Sequence, residues 1–261
     1  EAEYLVLTTG GQAYRHTGST GDGYAFAETL GHTITPLAAS LNAFLVKESW
    51  PKQLAGVSHL DARLSLRAGV EAQGPFLWTH QGLTGPAVFA LSSQIAFETY
   101  DATHPLPLLI DLEPTISEDA LQQELIQFTQ KNPKKHLLAL LEARLPRSLA
   151  EQLIQQHHID HQRHLCEYPH TFFEELAQLL KTIPLHIIGR TAGEEFVTAG
   201  GVDTSEINPR TMESYICPRL YLAGELLNID GYTGGFNLQA SWATGRVAGE
   251  SIAAALRETS A

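Results

Sequence analysis

The sequence predicts an α/β fold that is interrupted by two insertions. The first forty residues alternate between strand, glycine-rich loop and helix. The middle of the chain changes to short strands and then to helical periodicity, and a strand, a glycine-rich loop and a long helix return at the end. Alternating strands and helices are typical of α/β domains, and a change of pattern within such a domain indicates inserted segments.

The opening segment reads as a buried strand at residues 4–7 that runs into the turn Thr8-Thr9-Gly10-Gly11. A helix over residues 22–30 and a short strand around residues 33–34 are predicted to follow. Because an interior strand stands almost at the first residue, we expect that the intact domain has further polypeptide upstream.

Two insertions are predicted next. Residues 41–110 contain short strands interrupted by glycines, which favour a small barrel or sandwich. Residues 117–182 carry leucines at helical spacing with prolines near the breaks, which favours a helical subdomain. The predicted domains are a partial α/β domain at residues 1–40 and 199–261, a β-barrel-like insertion at residues 41–113 and 184–198, and a helical insertion at residues 114–183.

The charge of the chain disfavours nucleic acid and anionic membranes as partners. Lys and Arg number 17 against 29 Asp and Glu, which gives a net charge of −12. Cys166 and Cys217 lie far apart and outside any CxxC spacing, so a reducing, cytoplasmic compartment is expected. No apolar stretch approaches the roughly 20 residues that cross a bilayer, so no membrane anchor is expected.

The densest motif lies near the end of the chain. An apolar strand at residues 220–223 ends in Gly224-Glu225, and a glycine-rich loop then opens a helix at about Gly235. Free N–H groups at a helix start favour an anionic or electron-rich group, and Glu225 could accept hydrogen bonds from sugar or ribityl hydroxyls. This combination suits a flavin dinucleotide. The alternative is a glycine-rich turn that only packs a helix on a sheet.

A second glycine motif follows the first strand. The turn at Thr9, Gly10 and Gly11 precedes the run Gly18-Ser19-Thr20-Gly21-Asp22-Gly23, which opens a helix. Two such turns create exposed backbone donors, although an ordinary turn and helix cap explain the pattern as well.

A histidine-rich run stands apart from these motifs. His157, His161 and His164 have the spacing of one helical face, which zinc sites use. The alternative is a solvated helix end in the helical insertion, and no metal site is predicted.

Several segments together resemble the BaiN-like bacterial flavoproteins, a group that includes aminoacetone oxidase-like enzymes. The resemblance covers essentially the whole chain, and its motifs occur in the order of that family. It implies an incomplete Rossmann-like FAD/NAD(P)-binding domain interrupted by a β-barrel-like and a helical insertion. The segments that carry it are Thr8-Thr9-Gly10-Gly11, Gly18-Ser19-Thr20-Gly21-Asp22-Gly23, Thr79-His80-Gln81-Gly82-Leu83-Thr84-Gly85-Pro86, Thr198-Ala199-Gly200-Gly201-Val202, Ala223-Gly224-Glu225 and Gly234-Gly235-Phe236-Asn237.

The resemblance also implies the site. Relatives often carry Leu-Asp where this chain has Leu227-Asn228, so a carboxylate at that place is not expected to take part. No catalytic residue is assigned. FAD is the implied cofactor, with NAD(P)H or oxygen as redox partner. The implied cofactor-binding residues are Thr9, Gly10, Gly11, Gly224, Glu225, Gly234, Gly235, Phe236, Asn237 and Leu238.

The predicted function is that of the C-terminal portion of an FAD-dependent oxidoreductase, which transfers hydride between a small organic substrate and the flavin. The family begins with a Gly-x-Gly-x-x-Gly loop that holds the pyrophosphate, and this sequence contains none. A truncated, noncatalytic fragment or interaction module that does not bind FAD is therefore the alternative. A third reading is that a separate N-terminal unit complements the chain.

Overall fold

The computed structural model describes residues 2–191, 193 and 195–259. The chain divides into two compact units. The first comprises Glu1–Asn42, Ser92–Glu98 and Thr191–Ala261, and the second comprises Ala43–Leu91 and Thr99–Arg190.

The described residues form ten strands and seven α-helices. The strands are β1 (Leu5–Leu7), β2 (Ala38–Ser40), β3 (Phe44–Val46), β4 (Ser58–Arg67), β5 (Val70–Trp78), β6 (Gly82–Thr84), β7 (Leu106–Asp111), β8 (Ile183–Arg190), β9 (Val197–Ala199) and β10 (Leu220–Leu222). The helices are α1 (Asp22–Thr29), α2 (Pro86–Gln94), α3 (Glu118–Lys131), α4 (Leu137–Leu141), α5 (Arg147–Gln156), α6 (His170–Lys181) and α7 (Gly234–Thr259).

The first unit is built on a short parallel sheet. Strand β1 pairs with β10 in the register Leu5 to Leu220 and Leu7 to Leu222. All three residues of β10 are buried, because the strand lies within an apolar core. Strands β2 and β9 form a second, antiparallel pair. The core around β10 contains Leu7, Tyr24, Ala27, Val202, Ile207, Met212, Leu220, Tyr221, Leu222, Leu226, Leu227 and Ala248.

The second unit contains a closed β-barrel. Its strand order is β3-β6-β5-β4-β7-β8. The long hairpin of β4 and β5 turns at Gly69, whose φ of +79° is a conformation that glycine adopts without steric cost. Helices α3 to α6 lie between β7 and β8 in the chain. Side chains that fill this unit include Phe44, Leu64, Phe76, Trp78, Leu108 and Ile110, each no more than 2% exposed.

The predicted combination of α/β elements, a β-barrel and a helical segment is confirmed. Three local predictions were wrong. The opening strand was expected to be buried, but Leu5 is 47% exposed and Val6 is 40% exposed. The expected strand at residues 33–34 is a single bridge between Ile34 and Val202. Helix α5 ends at Gln156, so the histidines at 157, 161 and 164 do not share a helical face. The three-domain boundaries stay a prediction.

Within the described residues, no helix combines the length and apolarity needed to span a bilayer. In the same part of the chain, no three His, Cys, Asp or Glu side chains are grouped so that they could hold a metal ion.

We predict that Gly82→Ala destabilises the barrel by about 2–4 kcal/mol. A Cβ at Gly82 would lie 2.0 Å from the carbonyl oxygen of Phe44 on the neighbouring strand, and backbone cannot move aside cheaply. The free energy of unfolding in urea measures the effect. Gly189→Ala is the control, because a Cβ there would lie at an ordinary 3.5 Å from Leu45 Cδ1. Equal stability of the two variants would contradict the prediction.

Candidate functional site

The first glycine turn leaves no room for a side chain. Gly10 has φ +77°, and the Ser19 hydroxyl donates to the Gly11 carbonyl at 2.8 Å. A Cβ on Gly11 would lie 2.5 Å from Thr198 Oγ1 and 2.7 Å from Glu225 Oε1. The turn after β1 therefore packs closely against Thr198 and Glu225, and this contact requires glycine at position 11.

Thr198 holds the segment that follows this turn. Its side-chain oxygen accepts hydrogen bonds from the backbone N–H groups of Gln12 at 2.7 Å and Ala13 at 3.1 Å. Its own backbone N–H donates to Glu225 Oε1 at 2.8 Å. Thr198 is only 4% exposed, and a buried N–H group without a partner is costly. One threonine thus fixes the glycine turn and the carboxylate relative to each other.

Two carboxyl groups of the first unit have raised pKa values. Burial raises the pKa of Glu225, the N–H group of Thr198 opposes the shift, and the negative charge of Asp230 adds to it. Desolvation also raises the pKa of Asp230, against the hydrogen bond that the buried Ser40 donates to its Oδ2 at 2.8 Å. Burial, and next the charge of Glu225, raise the pKa of Tyr24 to about 12, so this phenol stays neutral.

The start of α7 presents free backbone donors. In the described part of the chain, the N–H groups of Gly234 and Gly235 donate to no protein acceptor. The Asn237 side chain is occupied: its amide donates to the carbonyls of Gly231 and Thr233, each at 3.0 Å, and its oxygen accepts from the Gly231 N–H at 2.9 Å. Asn237 therefore closes the loop before the helix, and its predicted contact with the cofactor stays a prediction.

Apolar side chains flank these donors. Phe236 is 66% exposed and Leu238 is 64% exposed, which is unusual for large apolar residues. The end of β10 is tied to α7, because the Gly224 N–H donates to Thr244 Oγ1 at 3.0 Å. The residues predicted from the sequence therefore form two linked groups, one at the turn of Thr9–Gly11 with Glu225 and one at the helix start.

This set of residues fits a flavin. Unpaired N–H groups at a helix start suit the electron-rich edge of a flavin ring, and exposed apolar side chains suit its face. A carboxylate such as Glu225 suits ribityl hydroxyls, and the Gly11 contact lets backbone approach a ligand closely. Sequence reasoning missed Ser40 and Asp230 as parts of this site. Thr198 belongs to a segment that carries the family resemblance, but its hydrogen bonds were not predicted.

A Ser–His–Glu arrangement elsewhere in the first unit is structural. His32 lies between Glu206 Oε2 at 2.9 Å and Ser214 Oγ at 2.8 Å. Ser214 Oγ also accepts from the N–H groups of Ile216 and Cys217, so its lone pairs are already engaged. Ser214 is only 7% exposed, and its hydroxyl joins His32 to the backbone of residues 216–217.

The family model described as "HI0933-like protein Rossmann domain" matches residues 1–251. The chain belongs to this family. The Rossmann-like fold class is thereby confirmed, and so is the resemblance to the BaiN-like flavoproteins.

The curated relatives of this chain include a bile acid reductase and two dihydrouridine synthases. A 3-dehydro-bile acid delta(4,6)-reductase of Clostridium scindens is 32% identical over 97% of this chain and 62% of its own length. Ribosomal RNA dihydrouridine synthases of Haemophilus influenzae and Escherichia coli are 30% and 29% identical, over 94% and 97% of this chain and 59% and 61% of their own lengths. The chain thus spans about three fifths of the length of these relatives.

We predict that Thr198→Val lowers the free energy of unfolding by about 2–4 kcal/mol, because two backbone N–H groups lose their acceptor. Thr198→Ser keeps the hydroxyl and is expected to cost less than about 1 kcal/mol. Urea unfolding monitored by circular dichroism separates the two. If the serine variant lost as much as the valine variant, the hydroxyl would not be the important group.

We predict that Glu225→Gln gains stability relative to the unsubstituted chain as the pH rises above 4.5. A carboxyl group whose pKa is raised by folding stabilises the fold while protonated and loses that contribution once the pH passes its pKa. Glutamine stays neutral, and its side-chain oxygen can still accept the hydrogen bond from the Thr198 backbone N–H. The measurement is the difference in unfolding free energy between the two proteins across this pH range.

Glu206→Gln is the control of opposite sign. Burial works against ionisation of Glu206, but hydrogen bonds from Thr33 and His32 overcome it and lower the pKa. This variant should therefore lose stability relative to the unsubstituted chain as the pH rises through the titration range of Glu206. If the relative stability of both variants changed in the same direction with pH, the environments assigned to Glu225 and Glu206 would be wrong.

Proposed function

We propose that this chain is part of an FAD-dependent oxidoreductase in which hydride passes between a small organic substrate and the flavin. The proposal rests on two linked groups in the first unit. One is the glycine turn that Thr198 fixes beside Glu225, and the other is the start of α7, where backbone N–H groups without a protein acceptor lie next to the exposed Phe236. Membership of the family and the reductase relative support the same chemistry.

The bound flavin would supply a carrier for two electrons in the form of hydride. The chain's own residues would hold it. Glu225 would accept hydrogen bonds from ribityl hydroxyls, Gly234 and Gly235 would donate from their backbone, and Phe236 with Leu238 would exclude water from the ring.

The names of the relatives favour reduction of a ring carbon–carbon double bond as the reaction. The Clostridium scindens protein is named as a delta(4,6)-reductase and the other two as dihydrouridine synthases. We propose a ring double bond conjugated to a carbonyl as the reacting group, and NAD(P)H as the source of the electrons. Two substrate classes contain such a ring: free small molecules and RNA bases.

The noncatalytic alternative makes a different prediction for the binding of FAD to this chain. In that reading, residues 1–261 bind no FAD unless a further polypeptide complements them. FAD is added to the purified chain, the excess is removed, and the visible absorption spectrum is recorded. A retained flavin band supports the oxidoreductase, and a colourless chain supports the alternative.

We predict that Gly235→Asp weakens FAD binding at least about tenfold. A Cβ at this position meets only Thr233 Oγ1 at 3.9 Å, and an acidic residue in the first turn stabilises a helix, so the variant should fold. Its carboxylate would cover the donors that the flavin uses. Gly249→Asp, where a Cβ meets nothing within 4 Å, should bind FAD unchanged. Equal affinities in a fluorescence titration would exclude the helix start as the flavin site.

A further inference from the structure

A small cavity opens in the first unit beside the glycine turn. Its volume is about 170 Å³. This is below the volume of pockets that hold drug-sized ligands, and it is close to the liquid volume of about six water molecules. The cavity therefore takes one small molecule, or one end of a somewhat larger one. It is lined by Gln12, Arg15, Leu37, Ala38, Ala39, Glu195 and Thr198.

The walls of this cavity are held in place by the surrounding backbone. Ala39 of β2 pairs with Thr198 of β9, and the Gln12 N–H donates to Thr198 Oγ1 at 2.7 Å. A Cβ on Gly21 would lie 2.7 Å from Gln12 Cγ, so the Gln12 side chain packs closely on this glycine. Gln12 Oε1 in turn accepts a hydrogen bond from Arg15 Nη2. The guanidinium group is thus positioned by a residue that is itself fixed.

The cavity carries one positive and one negative side chain. Arg15 is exposed and Glu195 is partly buried, and both belong to the lining. Within the part of the chain that the structure describes, neither of them forms an ion pair, and Arg15 bonds only the neutral Gln12 through its side chain. Two opposite charges that line one small cavity without pairing favour a ligand that carries both charges itself.

Two aromatic residues adjoin the charged ones in the sequence. Tyr14 precedes Arg15 and Phe196 follows Glu195, and their rings meet edge to face with centroids 5.8 Å apart. Tyr14 is 37% exposed and Phe196 is 47% exposed, so they offer apolar area to a ligand. Tyr14 has φ +55°, which bulky residues rarely adopt, and its carbonyl accepts from the Thr17 N–H and hydroxyl, each at 2.8 Å. These bonds hold Tyr14 in its unusual conformation.

We propose that this cavity binds a free α-amino acid with an apolar side chain. Arg15 would pair with the α-carboxylate, Glu195 would pair with the α-ammonium group, and the two aromatic rings would contact the side chain. The charged end of an amino acid is small enough for the cavity, and its side chain would extend toward Tyr14 and Phe196. A simple carboxylic acid would leave Glu195 without a partner, and a simple amine would leave Arg15 without one. The inference goes beyond the proposed flavin chemistry and does not depend on it.

The test is isothermal titration calorimetry of L-phenylalanine with the full chain in the absence of FAD. Because no flavin takes part, a negative result would leave the proposed oxidoreductase function unaffected. We expect saturable binding at one site. Phenylpropionate lacks the ammonium group and phenethylamine lacks the carboxylate, so each should bind at least about tenfold more weakly than phenylalanine. Absent binding of phenylalanine, or equal affinity for either of the other two compounds, would overturn the proposal.

Two variants assign the charges. Arg15→Gln and Glu195→Gln should each raise the Kd for phenylalanine at least about tenfold, whereas Glu195→Gln should bind phenylpropionate no more weakly than the unsubstituted chain does, because a repelling carboxylate is gone. That second readout also shows that the variant is folded, so Glu195→Gln decides the matter if Arg15→Gln unfolds. The matched controls are Arg210→Gln and Glu28→Gln, at exposed positions of the same unit outside the cavity, and their Kd should stay within about twofold. Undiminished binding of phenylalanine in a folded cavity variant, or an equal loss in the controls, would overturn the proposal.

Discussion

The proposed flavin surface depends on one shared acceptor, the hydroxyl oxygen of Thr198. Two consecutive N–H groups after the glycine turn point at this oxygen, and the backbone of the same threonine binds Glu225. Buried N–H groups without a partner are costly, so the turn has one favourable position. A Cβ on Gly11 would clash with Thr198 and Glu225, so this close contact between the turn and the carboxylate requires glycine.

The electrostatics of the first unit follow from the same packing. Desolvation favours the protonated forms of Glu225 and Asp230. The negative charge of Asp230 adds to this effect on Glu225. The free N–H groups of Gly234 and Gly235 contribute partial positive charge at the start of a 26-residue helix. An electron-rich ring placed there would meet donors and apolar side chains, which is the environment that the proposed chemistry requires.

The sequence was informative where backbone rules apply locally. The glycine turn, the strand that ends at Gly224 and the long final helix were predicted because glycine and apolar periodicity have direct local consequences. Ser40 was missed, and the partners of Thr198 were not predicted, because these partners lie far away in the chain: Ser40 bonds a residue 190 positions later, and Thr198 bonds one 186 positions earlier. A single sequence carries no signal for such pairs.

The same limit explains the histidine run. Helical spacing suggested a common side for His157 and its neighbours, but α5 ends at Gln156, so that the chain beyond it follows a different path. His164 instead stacks with His136, which lies in another segment.

Amide hydrogen exchange of the chain with and without FAD tests the central claim most directly, because it reports on individual backbone segments. The account predicts slower exchange in two places at once when FAD is added: at the turn of Thr9–Gly11 and at the helix start of Gly234–Leu238. Unchanged exchange at both segments with FAD bound elsewhere, or no change anywhere at saturating FAD, would contradict it.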